Sequence, residues 1–376
     1  MMMTTIARRW AAWMLLALLA VAGLIGCSAL DERQRQFIFN PGISRWGHGD
    51  MDLKDVWIPF TSRLTSESVK MHGLWLGDAP AMLGTKQPVV LYLHGARWDV
   101  WASRTRISRL HDMGFAVLAI DYRGFGKTTS GLSEGSTPSN TLPSESMAYE
   151  DAQAAWNWLA ERFPKQPRYI YGHSLGGAIA IDLASKVNDE RGTIVEGTFS
   201  SVRDVFATTN WGWLPIGPLL TQRFESIDKV RRIGSPLLVV HGSDDEIIKP
   251  ILGERLYAAA NSPKRFIMVE GGNHHNTSSV GMEQYSKALK DLFGILPPAA
   301  HELPPALADA GNAAAPASIG TGATPGPVAA ASVIGLATTK QPVKPRSSTS
   351  RNGSLKQAAT SGTSDLPSRS AATSNS

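Results

Sequence analysis

Ser174 stands between two glycines in Gly172-His173-Ser174-Leu175-Gly176, which fits the pattern G-x-S-x-G. A serine hydroxyl is a poor nucleophile until a base takes its proton, and the base must itself be oriented by a third group. Two downstream clusters carry the required types. One is His241-Gly242-Ser243-Asp244-Asp245, running on to Pro250. The other is Gly271-Gly272-Asn273-His274-His275. The order is serine, acid, histidine. Such a set could transfer acyl groups, with the serine forming a covalent intermediate that water then hydrolyses. Within each doublet the residues alone leave the choice open. One Asp could be a turn or cap residue, and one His a loop residue or substrate contact.

Positioning these groups needs strands that end in loops. Arg168 to Tyr171 reads as a short buried strand, and Leu175 to Val187 carries apolar residues at helical spacing. Strand, tight turn and helix make the context of a nucleophile elbow, with the serine on a strained turn above the sheet edge. Side chains at Gly172 and Gly176 would collide with the neighbouring strand and helix. The free N–H groups of the following helix favour negative charge beside the serine. Pro88 to Gly95, Phe115 to Asp121, Thr193 to Gly197, Pro236 to His241 and Arg265 to Glu270 are further strand-like runs. Helical patterns separate them at Trp101 to Met113, Ser146 to Phe163, Ile251 to Ala260 and Met282 to Phe293. The alternation predicts a mostly parallel sheet with helices on both faces. Catalytic groups then collect beyond the carboxyl ends of the strands. Val56 to Phe60 and Val69 to Leu76 have the mixed polarity of antiparallel strands at a sheet edge.

With these runs in place, residues 55–296 resemble an α/β-hydrolase of the small-cap type, akin to serine aminopeptidase-like lipases and α/β-hydrolase-domain lipid and thioester hydrolases. The likeness rests on His94-Gly95 at a strand end, Asp121-Tyr122-Arg123-Gly124-Phe125-Gly126, the elbow, and the acid and base loops. It implies the α/β-hydrolase fold with a small lid between Phe199 and Arg232. It also implies a catalytic set of Ser174, Asp245 and His274, because the family's acid stands three residues after the glycine of the acid loop and its base is the first histidine after the Gly-Gly-Asn turn. Two backbone N–H groups are expected to hold the oxyanion. Leu175 N–H supplies one and Ala96 N–H the other, with Arg97 as the alternative to Ala96. Trp98 and Trp213 are candidates to bind substrate, and Trp101, Trp211 and Leu214 could extend the same apolar acyl site; core packing is the competing reading for these tryptophans. The implied activity is hydrolysis of carboxylic esters or thioesters with acyl or lipid-like parts. A peptidase or amidase on the same triad, or a non-catalytic lipid-binding lipoprotein, are the alternatives. No cofactor is implied. His94, His241 and His274 each have a motif role of their own and no clustered carboxylates join them, so no metal site is expected.

The ends of the chain read differently. Arg8-Arg9 precedes Trp10 to Gly26, 17 residues without a charge or strongly polar side chain. Leu24-Ile25-Gly26-Cys27 follows, and Cys27 is the only cysteine. That order resembles a bacterial lipoprotein signal over residues 1–26, which implies cleavage before Cys27, a diacylglyceryl thioether on its sulfur and acylation of the new amino terminus. An uncleaved transmembrane anchor, for which 17 residues is short, and an ordinary secretory peptide are the alternatives. Each places the catalytic domain outside the cytoplasm. Ser28, where an Asp would suggest retention at the inner membrane, points to the outer membrane of a two-membrane bacterium. A single cysteine excludes an intramolecular disulfide. Residues 27–54 are expected to be a linker. Residues 297–376, rich in Ala, Pro, Gly, Ser and Thr, are expected to be a disordered tail. The net charge of +5 resides in these ends: Arg8-Arg9 contributes two charges, and the tail holds six Lys/Arg against three acids. The central domain is then neutral, which argues against a nucleic-acid partner. The expected partners are a small-molecule or lipid ester and, through Cys27, a membrane, with the chain acting as a monomer.

Overall fold

The computed structural model describes residues 13, 26–42, 52–78, 87–130, 142–261 and 263–295. The tail 297–376, and the apolar run Trp10 to Gly26 apart from Trp13 and Gly26, lie outside the described residues.

A helix over residues 26–39 (α1) comes first, followed by an antiparallel pair, β1 (Lys54–Thr61) and β2 (Ser68–Leu76). The parallel strands and helices then alternate. They are β3 (Val89–Leu93), α2 (Arg104–Asp112) and β4 (Ala116–Ile120). The two-residue β5 (Thr129–Ser130) comes next, then α3 (Glu145–Arg162), β6 (Arg168–His173), α4 (Leu175–Ala184) and β7 (Gly192–Glu196). The short helices α5 (Val202–Ala207) and α6 (Ser226–Lys229) bracket a small cap. β8 (Leu237–Gly242), α7 (Pro250–Ala259), β9 (Lys264–Val269), α8 (Thr277–Val280) and α9 (Met282–Phe293) complete the domain. One sheet joins the strands in the order β1-β2-β4-β3-β6-β7-β8-β9, with β5 on β2. The run from β4 to β9 is parallel. This is the α/β-hydrolase fold that the sequence led us to expect, with β1 and β2 antiparallel at the edge.

The burial of each strand follows its place in the sheet. Every residue of β3, β4, β6, β7 and β8 is buried, because helices cover both faces. In β1, at the edge, only Ile58 is fully buried. Helix ends follow local chemistry. Ser144 caps α3 by accepting the Met147 N–H at 3.3 Å. Pro250 opens α7, where a missing N–H costs nothing. Gly294 closes α9 in the left-handed region, at φ 69°.

The segment 27–54 departs from expectation. Its first part is no linker: α1 ends in Phe39, fully buried, with its ring 6.4 Å from Phe125 and 5.8 Å from Phe224. Burying a phenylalanine contributes about 1.5–3 kcal/mol, and Phe39 is the apolar side chain that docks this helix, since Leu30 and Phe37 are exposed and Ile38 only partly buried. Polar bonds fasten the same helix. Arg35 donates to the carbonyls of Leu142 and Pro143. Gln34 donates to Leu219 O and accepts from Thr221 N–H. Residues 43–51 lie outside the described residues.

Candidate active site

Ser174 follows β6 directly and opens α4, with φ 56° and ψ −122°. A non-glycine residue in that region costs on the order of 1–3 kcal/mol and persists only where its surroundings hold it. Here they do. Ser174 N–H donates to Glu196 O at 2.9 Å, and Ser174 O accepts from Gly177 N–H and from the Thr198 hydroxyl, at 2.9 and 2.8 Å. The flanking glycines are required by close approach. A Cβ on Gly172 would lie 2.2 Å from Gly176 O, and one on Gly176 2.1 Å from Leu93 O.

Asp245 sits in the turn after β8 and His274 in the turn after β9, so strands two and three places along the sheet from β6 carry them to the serine. His274 Nε2 lies 3.0 Å from Ser174 Oγ, and His274 Nδ1 lies 2.8 Å from Asp245 Oδ2. An ionised carboxylate can only accept, so Nδ1 carries the ring proton and Nε2 is left to accept from the serine. The other carboxylate oxygen, Oδ1, accepts from Ile247 N–H at 3.0 Å and Ile248 N–H at 2.8 Å. Burial would raise the Asp245 carboxyl, but hydrogen bonds from His241 and His274, the charge of His274 and the Ile248 N–H hold it well below the usual range. The structure separates the doublets. Asp244 is exposed, and its carboxylate accepts from the Ser243 hydroxyl. His275 is exposed at the edge of the site, with its ring 5.4 Å from that of His274.

The two expected oxyanion donors come from different elements. Leu175 is the first residue of α4. Ala96 lies in the loop after β3, where a Cβ added to the preceding Gly95 would be 3.1 Å from Ser174 Cβ. Arg97 is not available as the second oxyanion donor, since its N–H donates to Phe39 O at 2.8 Å. The tryptophans divide. Trp98, on this same loop, is 48% exposed, and Trp101 is partly buried against the hydrophobic core. Trp213 is 75% exposed in the cap, and among the described residues no hydrogen bond or ring contact joins it to the triad. Cys27 is exposed on α1.

Beneath the triad lies a buried polar cluster that sequence reasoning missed. The Glu196 carboxylate accepts from Arg106 at 3.0 Å and from the hydroxyls of Tyr171 and Tyr285. Burial opposes its ionisation, but the Arg106 charge and these bonds lower its pKa. Arg106 also donates to His275 O at 3.4 Å. The same cluster therefore supports both the residue that holds Ser174 N–H and the turn that carries His274. One signal was present in the sequence: a glutamate inside the otherwise apolar run Thr193 to Gly197. His173 packs nearby, its Nε2 bonded to His274 O at 2.9 Å. Burial and the Arg106 charge push its pKa well down, so it stays neutral and donates to that carbonyl.

Comparison with known proteins bears on the family and the fold. The family profile described as serine aminopeptidase, S33, matches residues 84–227, which include the elbow and end before Asp245 and His274. The uncharacterized protein Rv2307c of Mycobacterium tuberculosis is 32% identical over 214 residues, 56% of this chain and 70% of that one. The lysophosphatidylserine lipase ABHD12 of Xenopus tropicalis is 32% identical over 197 residues, 48% of each chain. That of Gallus gallus is 28% identical over 229 residues, 56% of each. The chain thus spans about half the length of these lipases. Among solved structures, the esterase Pf2001 of Pyrococcus furiosus matches with a TM-score of 0.51 at 19% identity, over 68% of this chain and 97% of that one. This last likeness concerns the fold.

Proposed function

Because the chain belongs to the α/β-hydrolase family and is an esterase- or lipase-like hydrolase, we infer that it cleaves carboxylic esters or thioesters through an acyl-enzyme on Ser174. The observation that carries this reading is the Ser174–His274–Asp245 relay, with its 3.0 and 2.8 Å contacts. His274 Nε2 takes the serine proton as Oγ attacks the acyl carbon. The tetrahedral oxyanion is held by the N–H groups of Ala96 and Leu175. His274 then gives the proton to the leaving alcohol or thiol as the carbon–oxygen or carbon–sulfur bond breaks. Water, deprotonated by the same nitrogen, releases the acid and restores the serine. Asp245 holds the imidazole in the tautomer that can accept and stabilises its charged form. No step calls for a cofactor.

The lipases among the relatives support an acyl or lipid-like substrate, for which Trp98, half-exposed on the loop after β3, offers apolar surface. The family description as an aminopeptidase favours a second reading, amide hydrolysis on the same triad. A panel of p-nitrophenyl esters, acyl thioesters and aminoacyl anilides separates the two. Ester or thioester turnover that Ser174→Ala abolishes is expected; turnover of the anilides alone would support the peptidase. The exposed Cys27 at the start of α1 is compatible with a lipid anchor on the cell envelope. On that reading the mature chain begins at Cys27 with thioether-linked diacylglycerol. Intact mass spectrometry that finds an unlipidated chain starting at its initiator Met would overturn it.

A further inference from the structure

The loop at residues 94–99 must present one backbone N–H over the nucleophile. Its two ends are tied to the sheet. The Tyr122 hydroxyl donates to His94 O at 3.1 Å, and Val100 N–H donates to the Asp121 carboxylate at 2.7 Å. Its middle is tied elsewhere. Arg97 N–H donates to Phe39 O, the carbonyl at the end of α1. Arg97 has φ 89°, a region that a non-glycine residue leaves unless it is held. The holder is itself fixed, since the Phe39 ring is fully buried between Phe125 and Phe224. The chain beyond it fits the same loop closely: a Cβ on Gly42 would lie 3.2 Å from Arg97 O and 3.5 Å from the Trp98 ring. α1 also fastens to the cap, through Gln34 with Leu219 and Thr221, and through Gln222 with Asp31.

The geometry points to Phe39 as a positioning residue of the active site: by docking α1, it sets the Ala96–Arg97 backbone so that Ala96 N–H faces the oxyanion. This rests on the serine-hydrolase reading above. Phe39 touches neither the substrate nor the reacting atoms. It acts through its carbonyl on Arg97, one residue from the donor. Without the dock, Arg97 relaxes out of its left-handed conformation and the peptide bearing the Ala96 N–H loses its setting. The Ser174–His274–Asp245 relay is built on other strands and stays intact. The loss therefore falls on the transition state, lowering kcat and leaving KM nearly unchanged. A segment that reads as a tether is in this way part of the catalytic frame, and residues 55–296 alone would make a defective enzyme.

The test uses the full chain in detergent, as wild type, Phe39→Ala and Phe39→Leu. Titration with a fluorophosphonate counts competent sites, so turnover of p-nitrophenyl butyrate per titrated site is independent of any unfolded fraction. Phe39→Ala is expected to lose about 10- to 100-fold in kcat per site. KM should stay within about twofold because the lost interaction is made in the transition state, and the pH profile should keep its shape because the relay that sets it is untouched. Phe39→Leu, which keeps the dock apolar, should recover most of the rate. Hydrogen exchange on the wild type adds a measurement that needs no variant: the Arg97 amide should be protected. Free exchange at Arg97 in the wild type, or unchanged kcat per site in Phe39→Ala, would overturn the proposal. A wild-type chain that never labels at Ser174 would overturn the hydrolase reading and this one together; a labelled, active chain indifferent to Phe39 overturns this one alone.

Discussion

Asp245→Asn is the substitution whose consequence the structure narrows most. One carboxylate oxygen accepts from the N–H groups of Ile247 and Ile248, and the other faces His274 Nδ1 at 2.8 Å. An amide has one oxygen and one NH2. If its oxygen keeps the two backbone donors, the NH2 meets Nδ1, which must then accept. The ring proton moves to Nε2, 3.0 Å from Ser174 Oγ, and the base has no lone pair left for the serine. The flipped amide would set its NH2 against two backbone donors, at about 1–3 kcal/mol for each buried group left unmade, so the first arrangement holds. A wrong tautomer lowers kcat on the order of 10³–10⁴-fold, or about 4–5.5 kcal/mol in the barrier. Steady-state turnover of a p-nitrophenyl ester, normalised to folded protein by circular dichroism, reads this directly. A loss below about tenfold would refute the tautomer argument. So would an equal loss in Asp244→Asn, whose carboxylate meets only the Ser243 hydroxyl among the described residues. Stability should follow the same carboxylate. Its folded pKa is depressed, so its contribution is complete above about pH 4, the unfolded value, and is lost as pH falls toward the folded one. The deficit in Tm of Asp245→Asn should shrink over that acidic range.

His274→Ala should be nearly inactive toward esters while the exposed His275→Ala keeps most of its kcat; a reversed ranking in the same assay would refute the assignment of the base. His72 is buried between two carboxylates, with Nδ1 2.7 Å from Asp121 Oδ2 and Nε2 2.7 Å from Asp55 Oδ1, the latter also bonded to Lys127. Burial alone would lower its pKa, but the bond and charge of Asp121 and the bond of Asp55 raise it. Its stabilising contribution is thus complete below about pH 6.5 and lost as pH rises through the raised value. The Tm gap between wild type and His72→Gln should be widest near pH 6 and narrow as pH rises through the raised value; a gap that widens with pH would contradict this.

Most of the parallel sheet was legible because a central strand must be apolar on both faces, as Val89–Leu93 and Leu237–Gly242 are. The elbow was legible because two backbones approach within a distance that only glycine permits. The role of residues 26–39 was not. Phe39 ends the short run Phe37-Ile38-Phe39 after a charged stretch, nothing local singles it out as the one that is buried, and what buries it, Phe125 and Phe224, lies far along the chain. No local pattern carries such information. The same holds for Arg106 and Glu196, 90 residues apart, although a charge in a buried strand was a usable hint. The tryptophans illustrate the reverse problem. Their type predicted an apolar site or core, yet Trp213 is largely exposed, because side-chain identity does not fix which way a cap loop faces.

The central claim is a covalent acyl intermediate on Ser174. Intact and peptide mass spectrometry of the chain, acid-quenched during turnover of a slowly hydrolysed p-nitrophenyl ester, tests it most directly. One acyl group on the peptide that contains Ser174, absent from Ser174→Ala, is the predicted result. An acyl group on any other residue, or full ester turnover by Ser174→Ala, would contradict it.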